Sequence, residues 1–206
     1  MERIPYATIQ KAIYFTVNKF VQFLIILTYN SQMTENRNLT DKEKSQQRKD
    51  LLDLLKEAVL KAYKYDKSLI EVGGMERAFV FRIGVYLNKL IRKSYFKGLK
   101  LDSEYNKNLG SRKSTKSFSN GIVPDLIIHK RKSNCCNKIA IEFKGWWERK
   151  PSHHYRDIKK LEDLTSQDND NEYKYLLGVF VELGKGKATC LYFINGSEVK
   201  DIDKVL

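Results

Sequence analysis

The sequence predicts a mixed α/β domain built around a central β-sheet. Amphipathic segments with apolar residues at spacings of three and four indicate helices, and short runs of β-branched and aliphatic residues indicate strands. Along the chain, helices come first and are followed by three strands, one helix and two more strands. That order is typical of a central sheet with helices packed against it.

Two helices are predicted before the sheet. Apolar residues recur at helical spacing through residues 50–65, and Gly73-Gly74 interrupts the pattern. A second helix is predicted over about residues 75–96. The stretch 33–49 is rich in Asn, Gln, Lys and Glu, which predicts a linker or an exposed loop.

The sheet is predicted from residue 99 onward. Five segments have strand character, and one segment between them has helical spacing. The predicted strands are residues 99–105, 122–129, 139–143, 173–183 and 189–194, and the predicted helix is residues 155–165. A polar turn at residues 134–137 joins two of these strands as a hairpin, and a polar, basic loop fills residues 106–120.

The N-terminal part of the chain is predicted to be separate from this domain. We divide the chain into residues 1–46, a hydrophobic helix with a polar linker, and residues 47–206, the α/β domain. Residues 20–34 carry no charge, but polar residues interrupt the longer apolar stretch that a spanning helix needs. A signal-peptide cleavage site is also poorly matched. We favour a helix packed on the domain or on a second copy, which would make a homodimer. Membrane contact and an unrelated extension are the alternatives.

Composition points to a globular protein with an anionic partner. The chain has 206 residues, 42% of them hydrophobic, which is enough to build a core and excludes a wholly disordered chain. Lys and Arg number 38 against 25 Asp and Glu, so the formal charge is +13. Such an excess favours phosphate backbones, although scattered Lys is also common on solvated surfaces.

Cysteine usage indicates a reducing compartment. The chain has three Cys, and two of them, Cys135 and Cys136, are adjacent. An odd, small number argues against a disulfide framework, and adjacent thiols cannot form a CxxC metal knuckle. We therefore expect a cytoplasmic protein with reduced thiols.

Two carboxylates interrupt the most apolar predicted strands. Asp125 lies within residues 122–128, and Glu142 lies within residues 139–143. A buried carboxylate is costly unless it is paired, hydrogen-bonded or bound to a metal. Two acids on neighbouring strands would repel each other unless a cation lay between them, and oxygen ligands suit Mg²⁺ or Mn²⁺.

Lys144 completes a small constellation with these acids. Residues 142 and 144 are two apart on a strand, so their side chains project from the same face. The ammonium could assist an attacking water or stabilise charge on a phosphate. The alternative is a structural Glu142–Lys144 ion pair, with Asp125 bonded to backbone donors.

This pattern resembles a known family. Pro124-Asp125, followed after a hairpin turn by Glu142-Phe143-Lys144, resembles the PD-(D/E)xK, or restriction-endonuclease-like, nuclease superfamily, in particular its uncharacterised single-domain members. The resemblance covers about residues 47–194. It implies an αβββαβ core with a mixed sheet, and Mg²⁺-dependent hydrolysis of phosphodiester bonds.

The resemblance implies further site residues. An acid on the preceding helix is expected, and Glu76 matches it as a third metal ligand beside Asp125 and Glu142. The alternative is a first-turn Glu favoured by the helix dipole. Supporting positions that resemble segments of the same group are Asp157, Lys160 and Glu104. Each of these residues also has a purely structural interpretation. Asp157 and Lys160 would form an exposed ion pair, and Glu104 would lie on the polar face of a strand.

Other residues are candidates for contact with nucleic acid. The basic loop carries four cations that could bind phosphate: Lys107, Arg112, Lys113 and Lys116. A solvated loop is the alternative. Trp146-Trp147 could stack on bases or pack in the core. His129, at a strand end, is interpreted as incidental.

The predicted function is therefore a metal-dependent endonuclease whose partner is nucleic acid, with DNA favoured over RNA. Asp125, Glu142, Lys144 and Glu76 are the predicted catalytic residues. Two other classes remain open: a non-catalytic nucleic-acid-binding module, and a protein-interaction domain of a defence system. The sequence contains no P-loop spacing, acyl-transfer triad or dinucleotide fingerprint.

Overall fold

The chain folds as a mixed α/β unit in which helices flank a six-stranded sheet. The computed structural model describes residues 39–148 and 150–200, and the statements below concern those residues. The helices are α1 Asp41–Tyr65, α2 Lys67–Glu71, α3 Glu76–Ile91 and α4 Pro151–Thr165. The strands are β1 Lys100–Ser103, β2 Lys107–Asn108, β3 Ser111–Arg112, β4 Leu126–His129, β5 Ile139–Gly145, β6 Leu177–Leu183, β7 Ala188–Ile194 and β8 Ser197–Val199.

Helix α1 begins well before the predicted residue 50. Thr40 and Glu43 form a capping box, in which the Glu43 amide donates to Thr40 Oγ1 at 3.3 Å and the Thr40 amide donates to Glu43 Oε2 at 2.8 Å. These bonds satisfy amides that a helix start would otherwise leave open. The prediction of a linker over residues 33–49 is therefore wrong from residue 41 onward, and α1 runs across the predicted boundary at residue 46.

The remaining elements follow the predicted order with shifted ends. Helix α4 begins at Pro151 rather than at residue 155, because proline is well suited to the first helical position. Strand β4 begins only at Leu126, so Asp125 lies just before the strand rather than within it. The predicted loop 106–120 contains the small β2–β3 hairpin, and β8 was not predicted.

The six strands lie in the order β1-β4-β5-β6-β7-β8. Strands β5 and β6 are parallel and are joined through α4, whereas the other neighbours are antiparallel. A parallel pair needs a crossover of this kind, since the chain must return to the same end of the sheet. This coarse architecture agrees with the predicted mixed sheet flanked by helices.

The two faces of the sheet are covered by different helices. Helix α3 lies so close to one face that a Cβ on its Gly84 would stand 3.6 Å from the Leu126 side chain. On the other face, a Cβ on Gly178 of β6 would stand 3.3 Å from Leu161 of α4. Because side chains alternate along β5, Glu142 and Lys144 project toward α4.

Nothing in the part of the chain that the structure describes is a helix both long enough and apolar enough to cross a membrane. The hydrophobic helix predicted near residues 20–34 lies outside the described residues. So does any role of that segment in forming a homodimer or contacting a membrane.

Candidate active site

The site begins where strand β4 leaves the edge of β5. The register of β4 against β5 stops at the pair Leu126–Ile141. Strand β5 continues to Gly145, and alternate residues of a strand direct their amides toward the same neighbour. The amides of Phe143 and Gly145 therefore point to a side on which β4 has already ended.

Two of the predicted carboxylates accept hydrogen bonds from these amides. The Phe143 amide donates to Asp125 Oδ2 at 2.7 Å, and the Gly145 amide donates to Glu76 Oε2 at 2.6 Å. Glu76 reaches this position from the first turn of α3. The end of β4 thus creates a notch in the sheet, and two acids from different elements lie in it.

A ladder of alternating charge joins β5 to helix α4. Glu142 Oε1 accepts a hydrogen bond from Lys160 Nζ at 3.1 Å, and the same ammonium lies 2.7 Å from Asp157 Oδ1. Asp157 Oδ2 then lies 2.6 Å from Lys144 Nζ. Asp157 and Lys160 are three apart on α4, so both face the strand. We call these four residues the charge ladder.

Burial raises the pKa values of Asp125 and Glu142, because nearby positive charge does not fully offset the loss of water around them. Burial raises the pKa of Asp125 to about 6, although the hydrogen bond from Phe143 lowers it. Burial, and then the negative charge of Asp125, raise the pKa of Glu142 well above its ordinary value. Such shifts mean that the charged forms are poorly solvated, which is common at sites built to bind a cation or move a proton.

The lysines of the charge ladder behave in the opposite way. Burial lowers the pKa of Lys144, but the hydrogen bond and charge of Asp157 outweigh it and the pKa is raised. For Lys160 too, burial is opposed by Glu142 and Asp157, and the pKa is raised. Both side chains therefore stay cationic near neutral pH.

The structure brings Asp125, Glu142, Lys144 and Glu76 to one end of β5. It also places Asp157 and Lys160 in direct contact with the strand residues, closer than the supporting role that was predicted for them. The alternative interpretation is partly correct: Asp125 does accept a backbone donor, but Lys144 pairs with Asp157 rather than with Glu142.

Glu104 lies at the rim of the site. It lines a small recess of about 70 Å³ together with Glu76, Arg77 and Asp125. Its carboxylate is 3.8 Å from Arg77 Nε, and both side chains are largely exposed. A pair of this kind contributes little energy. Arg77 was not singled out from the sequence, where only its position beside Glu76 could have drawn notice.

The basic loop is tied to the turn that precedes strand β5. The β2–β3 hairpin is tied to the β4–β5 turn by Asn134, whose side chain donates to Asn108 Oδ1 at 2.9 Å. That turn is at the start of β5, and the site is at the end of the same strand. Lys107 and Arg112, on this hairpin, are exposed, and Lys116 is exposed on the following loop. Contact of these three residues with phosphate stays a prediction.

Lys113 departs from the prediction, because its side chain is buried. The residue is only 2% exposed, and its ammonium lies 4.5 Å from the centre of the Tyr173 ring and 3.3 Å from Tyr175 Oη. Burial lowers the pKa of Lys113 to about 8. A side chain held in this way cannot reach a phosphate on the surface.

A second buried polar cluster lies beside Lys113 and was missed. Asp102 Oδ2 is 2.8 Å from both His129 Nε2 and Arg131 Nε. The hydrogen bond from Arg131, and then that from His129, hold the pKa of Asp102 below its ordinary value. His129 is therefore a structural partner rather than incidental. We call Asp102, His129, Arg131 and Lys113 the closed cluster.

Asp125 and Glu142 fit a magnesium ion by the chemistry of their donors. Mg²⁺ is commonly held by one or two carboxylates together with water and substrate phosphate. Burial, and then the charge of Asp125, raise the pKa of Glu142, so the two carboxylates interact electrostatically. Among the described residues, no group of three or more His, Cys, Asp or Glu side chains stands ready to hold a metal. Glu76, a further carboxylate, lies at the same end of β5 on the Gly145 amide.

Comparisons with known protein families and curated proteins give no match for this chain. No protein-family model matches the chain, and no curated protein matches it significantly. Function must therefore be argued from the residues of the site rather than from kinship.

Proposed function

We propose that the protein is a metal-dependent nuclease that hydrolyses phosphodiester bonds on a restriction-endonuclease-like αβββαβ core. The choice of DNA rather than RNA as the substrate rests on the family resemblance alone. The observation that carries the proposal is the notch at the end of β5. Asp125 lies in the notch and Glu142 lies on the adjoining charge ladder, and both have raised pKa values. On the same ladder, Asp157 holds Lys144 as a cation. An excess of buried acid next to a positioned ammonium is the arrangement that phosphoryl chemistry with a divalent cation requires.

Each side chain has a distinct task in this proposal. Asp125 and Glu142 would hold Mg²⁺, which would supply Lewis-acid stabilisation of the phosphate and a more acidic water. Lys144 would orient the attacking water and stabilise negative charge that develops on the phosphate oxygens.

The outer residues keep this arrangement in place. Asp157 holds Lys144 Nζ at 2.6 Å and so limits its freedom, while Lys160 neutralises part of the charge of Glu142. Glu76, bonded to the Gly145 amide, is placed to accept a proton or to bind a metal-held water. The net charge of +13 favours the approach of a polyanion as a whole.

The test is cleavage of single-stranded, duplex and branched DNA, and of RNA, with Mg²⁺ or Mn²⁺. We expect Asp125→Ala to abolish cleavage, since it removes a metal ligand from the notch. Asp53→Ala is the matched control, because it removes the same charge from an exposed position of α1. Cleavage that survives Asp125→Ala, or that falls equally with Asp53→Ala, contradicts the proposal.

A second candidate, a nucleic-acid-binding module without catalysis, is favoured by one observation. Lys160 and Lys144 already neutralise Glu142 and Asp157, which leaves less demand for a metal ion. This candidate predicts salt-sensitive binding of DNA with no cleavage under any divalent metal, and no change of thermal stability on adding Mg²⁺.

A further inference from the structure

A recess of about 450 Å³ lies directly beside the proposed site. Its walls include Glu76, Arg77, Lys144 and Trp147. Glu76 and Lys144 belong to the site itself, so whatever fills the recess lies next to the reacting phosphate. The volume is in the range of sites that bind small organic molecules and is sufficient for one nucleotide.

Gly145 leaves the space that the Trp147 ring occupies at this recess. A Cβ at Gly145 would overlap the Trp147 ring, and a Cβ at Gly73 would stand 3.5 Å from it. Gly73 also has φ +76°, a conformation that side-chain-bearing residues rarely adopt. The backbone around the recess is thus shaped to admit the indole.

The neighbouring tryptophan has a different role. Trp146 donates its Nε1 hydrogen to the carbonyl of Ile70 at 2.9 Å, and Lys185 Nζ lies 4.2 Å from the centre of its ring. Trp146 therefore anchors the segment to α2 and the β6–β7 turn. Trp147 packs edge-on against Trp146, with ring centres 5.6 Å apart, and is the one that lines the recess.

The recess walls carry two cations suited to phosphate, Arg77 and Lys144, beside the carboxylates of Glu76 and Glu148. The Arg77 side chain is 92% exposed and can follow a phosphate, and Lys144 supplies a second cation on the side of the site. An aromatic ring and cations in one recess are the chemistry that binds a base and its phosphates.

We infer that this recess binds an unpaired nucleobase adjacent to the cleaved phosphate, with the base stacked on Trp147. The inference rests on the proposed function and narrows its substrate class. A base inside a duplex has both faces covered by its neighbours, so only a single strand, a frayed end or an extruded base can stack there. Cleavage of single-stranded DNA should therefore be faster than cleavage of a blunt, fully paired duplex.

The test measures binding without cleavage, in the presence of a chelator. The ligands are a short oligothymidylate and an abasic strand with the same number of phosphates. Wild-type protein should bind the oligothymidylate about 5- to 150-fold more tightly, which corresponds to the worth of one stacked base. Only the base-bearing strand should quench tryptophan fluorescence, because the chain has two Trp and one of them lines the recess.

Variants assign the effect to one ring. Trp147→Ala should remove the preference for the base-bearing strand, whereas Trp147→Phe should keep most of the affinity and lose the quenching. Tyr65→Ala is the control, since Tyr65 is an aromatic residue 63% exposed and outside the recess. Should Trp147→Ala fail to fold, the abasic comparison on the wild-type protein still decides.

The possible failures are distinguishable. Equal binding of the two strands by a protein that cleaves DNA in an Asp125-dependent manner overturns the base recess and leaves the nuclease intact. No binding of either strand at low salt, together with no cleavage, overturns the nuclease and the recess together.

Discussion

The charge ladder and the closed cluster lie on the same face of the sheet, but the pKa values of the carboxylates at these two places shift in opposite directions. In the closed cluster, hydrogen bonds from Arg131 and His129 lower the pKa of Asp102. In the notch beside the ladder, burial raises the pKa of Asp125 to about 6. Asp102 lies within β1, and Asp125 lies just before β4. The difference shows that a buried carboxylate is a functional candidate when its partners do not balance its charge, and a structural one when they do.

The sharpest way to break this comparison is to replace one buried lysine from each group with methionine. Lys144→Met should lower kcat for DNA cleavage by about 10²- to 10⁴-fold, because it removes a positioned cation from the reacting centre. Lys113→Met should leave kcat within about twofold, since its ammonium contacts Tyr173 and Tyr175 instead of the site. Steady-state cleavage rates at saturating Mg²⁺ measure both, and equal losses would erase the distinction.

Stability should respond with opposite signs when the acids are neutralised. Without metal, Asp125→Asn should raise the free energy of unfolding by about 1–3 kcal/mol, because the amide can still accept from Phe143 and is not a poorly solvated charge. Asp102→Asn should lower it by about 1–2 kcal/mol, since the three hydrogen bonds from His129 and Arg131 lose their charge assistance.

Chemical denaturation at neutral pH in a chelator measures both changes. A shift of the two variants in the same direction contradicts the comparison. Added Mg²⁺ should stabilise the wild-type protein and leave Asp125→Asn unaffected.

The pH dependence sharpens the same contrast. The pKa of Asp125 is about 6 in the folded protein against an ordinary value of 3.8, so the folded state holds a proton that the unfolded chain has lost. Its contribution therefore makes stability fall as the pH rises from about 4 to 6. The lowered pKa of Asp102 has the reverse effect, which is stability present above 3.8 and lost on acidification.

The affinity for Mg²⁺ should depend on whether Asp125 is protonated. Because Mg²⁺ competes with that proton, its apparent affinity should fall about tenfold for each pH unit below about 6. Calorimetric titration of Mg²⁺ at several pH values measures this slope. An affinity that is flat between pH 5 and 7 would place the metal elsewhere.

The smallest effect is expected at the rim. Glu104→Gln should change kcat by less than about twofold and leave stability unchanged, because its pair with Arg77 spans 3.8 Å between exposed side chains. The cleavage assay used for Lys144→Met detects any larger loss. A loss approaching that of Lys144→Met would make Glu104 a metal ligand rather than a rim residue.

The sequence anticipated the elements because their patterns are local. The spacing of apolar residues predicted α3, and the anomaly of Asp125 and Glu142 in apolar segments predicted the acids of the site. It failed at the start of α1, because the capping box between Thr40 and Glu43 lies in a stretch whose polar composition is also typical of a linker.

Whether a charged side chain is buried, paired or exposed depended on contacts between distant parts of the chain. Local sequence could not show that Lys113 is buried against Tyr173 and Tyr175, about sixty residues further along, or that His129 is held by Asp102.

The sequence by itself thus determined the mixed α/β class, the order of the elements and the acids that lie in apolar segments, since these depend on periodicity and composition. Only the tertiary structure decided where β4 ends on β5, which amides are thereby left for Asp125 and Glu76, and which lysine pairs with which acid. The physical reason is that solvation and charge pairing depend on neighbours in space. The burial that raises the pKa of Glu142 comes from a strand and a helix that only the folded chain brings together.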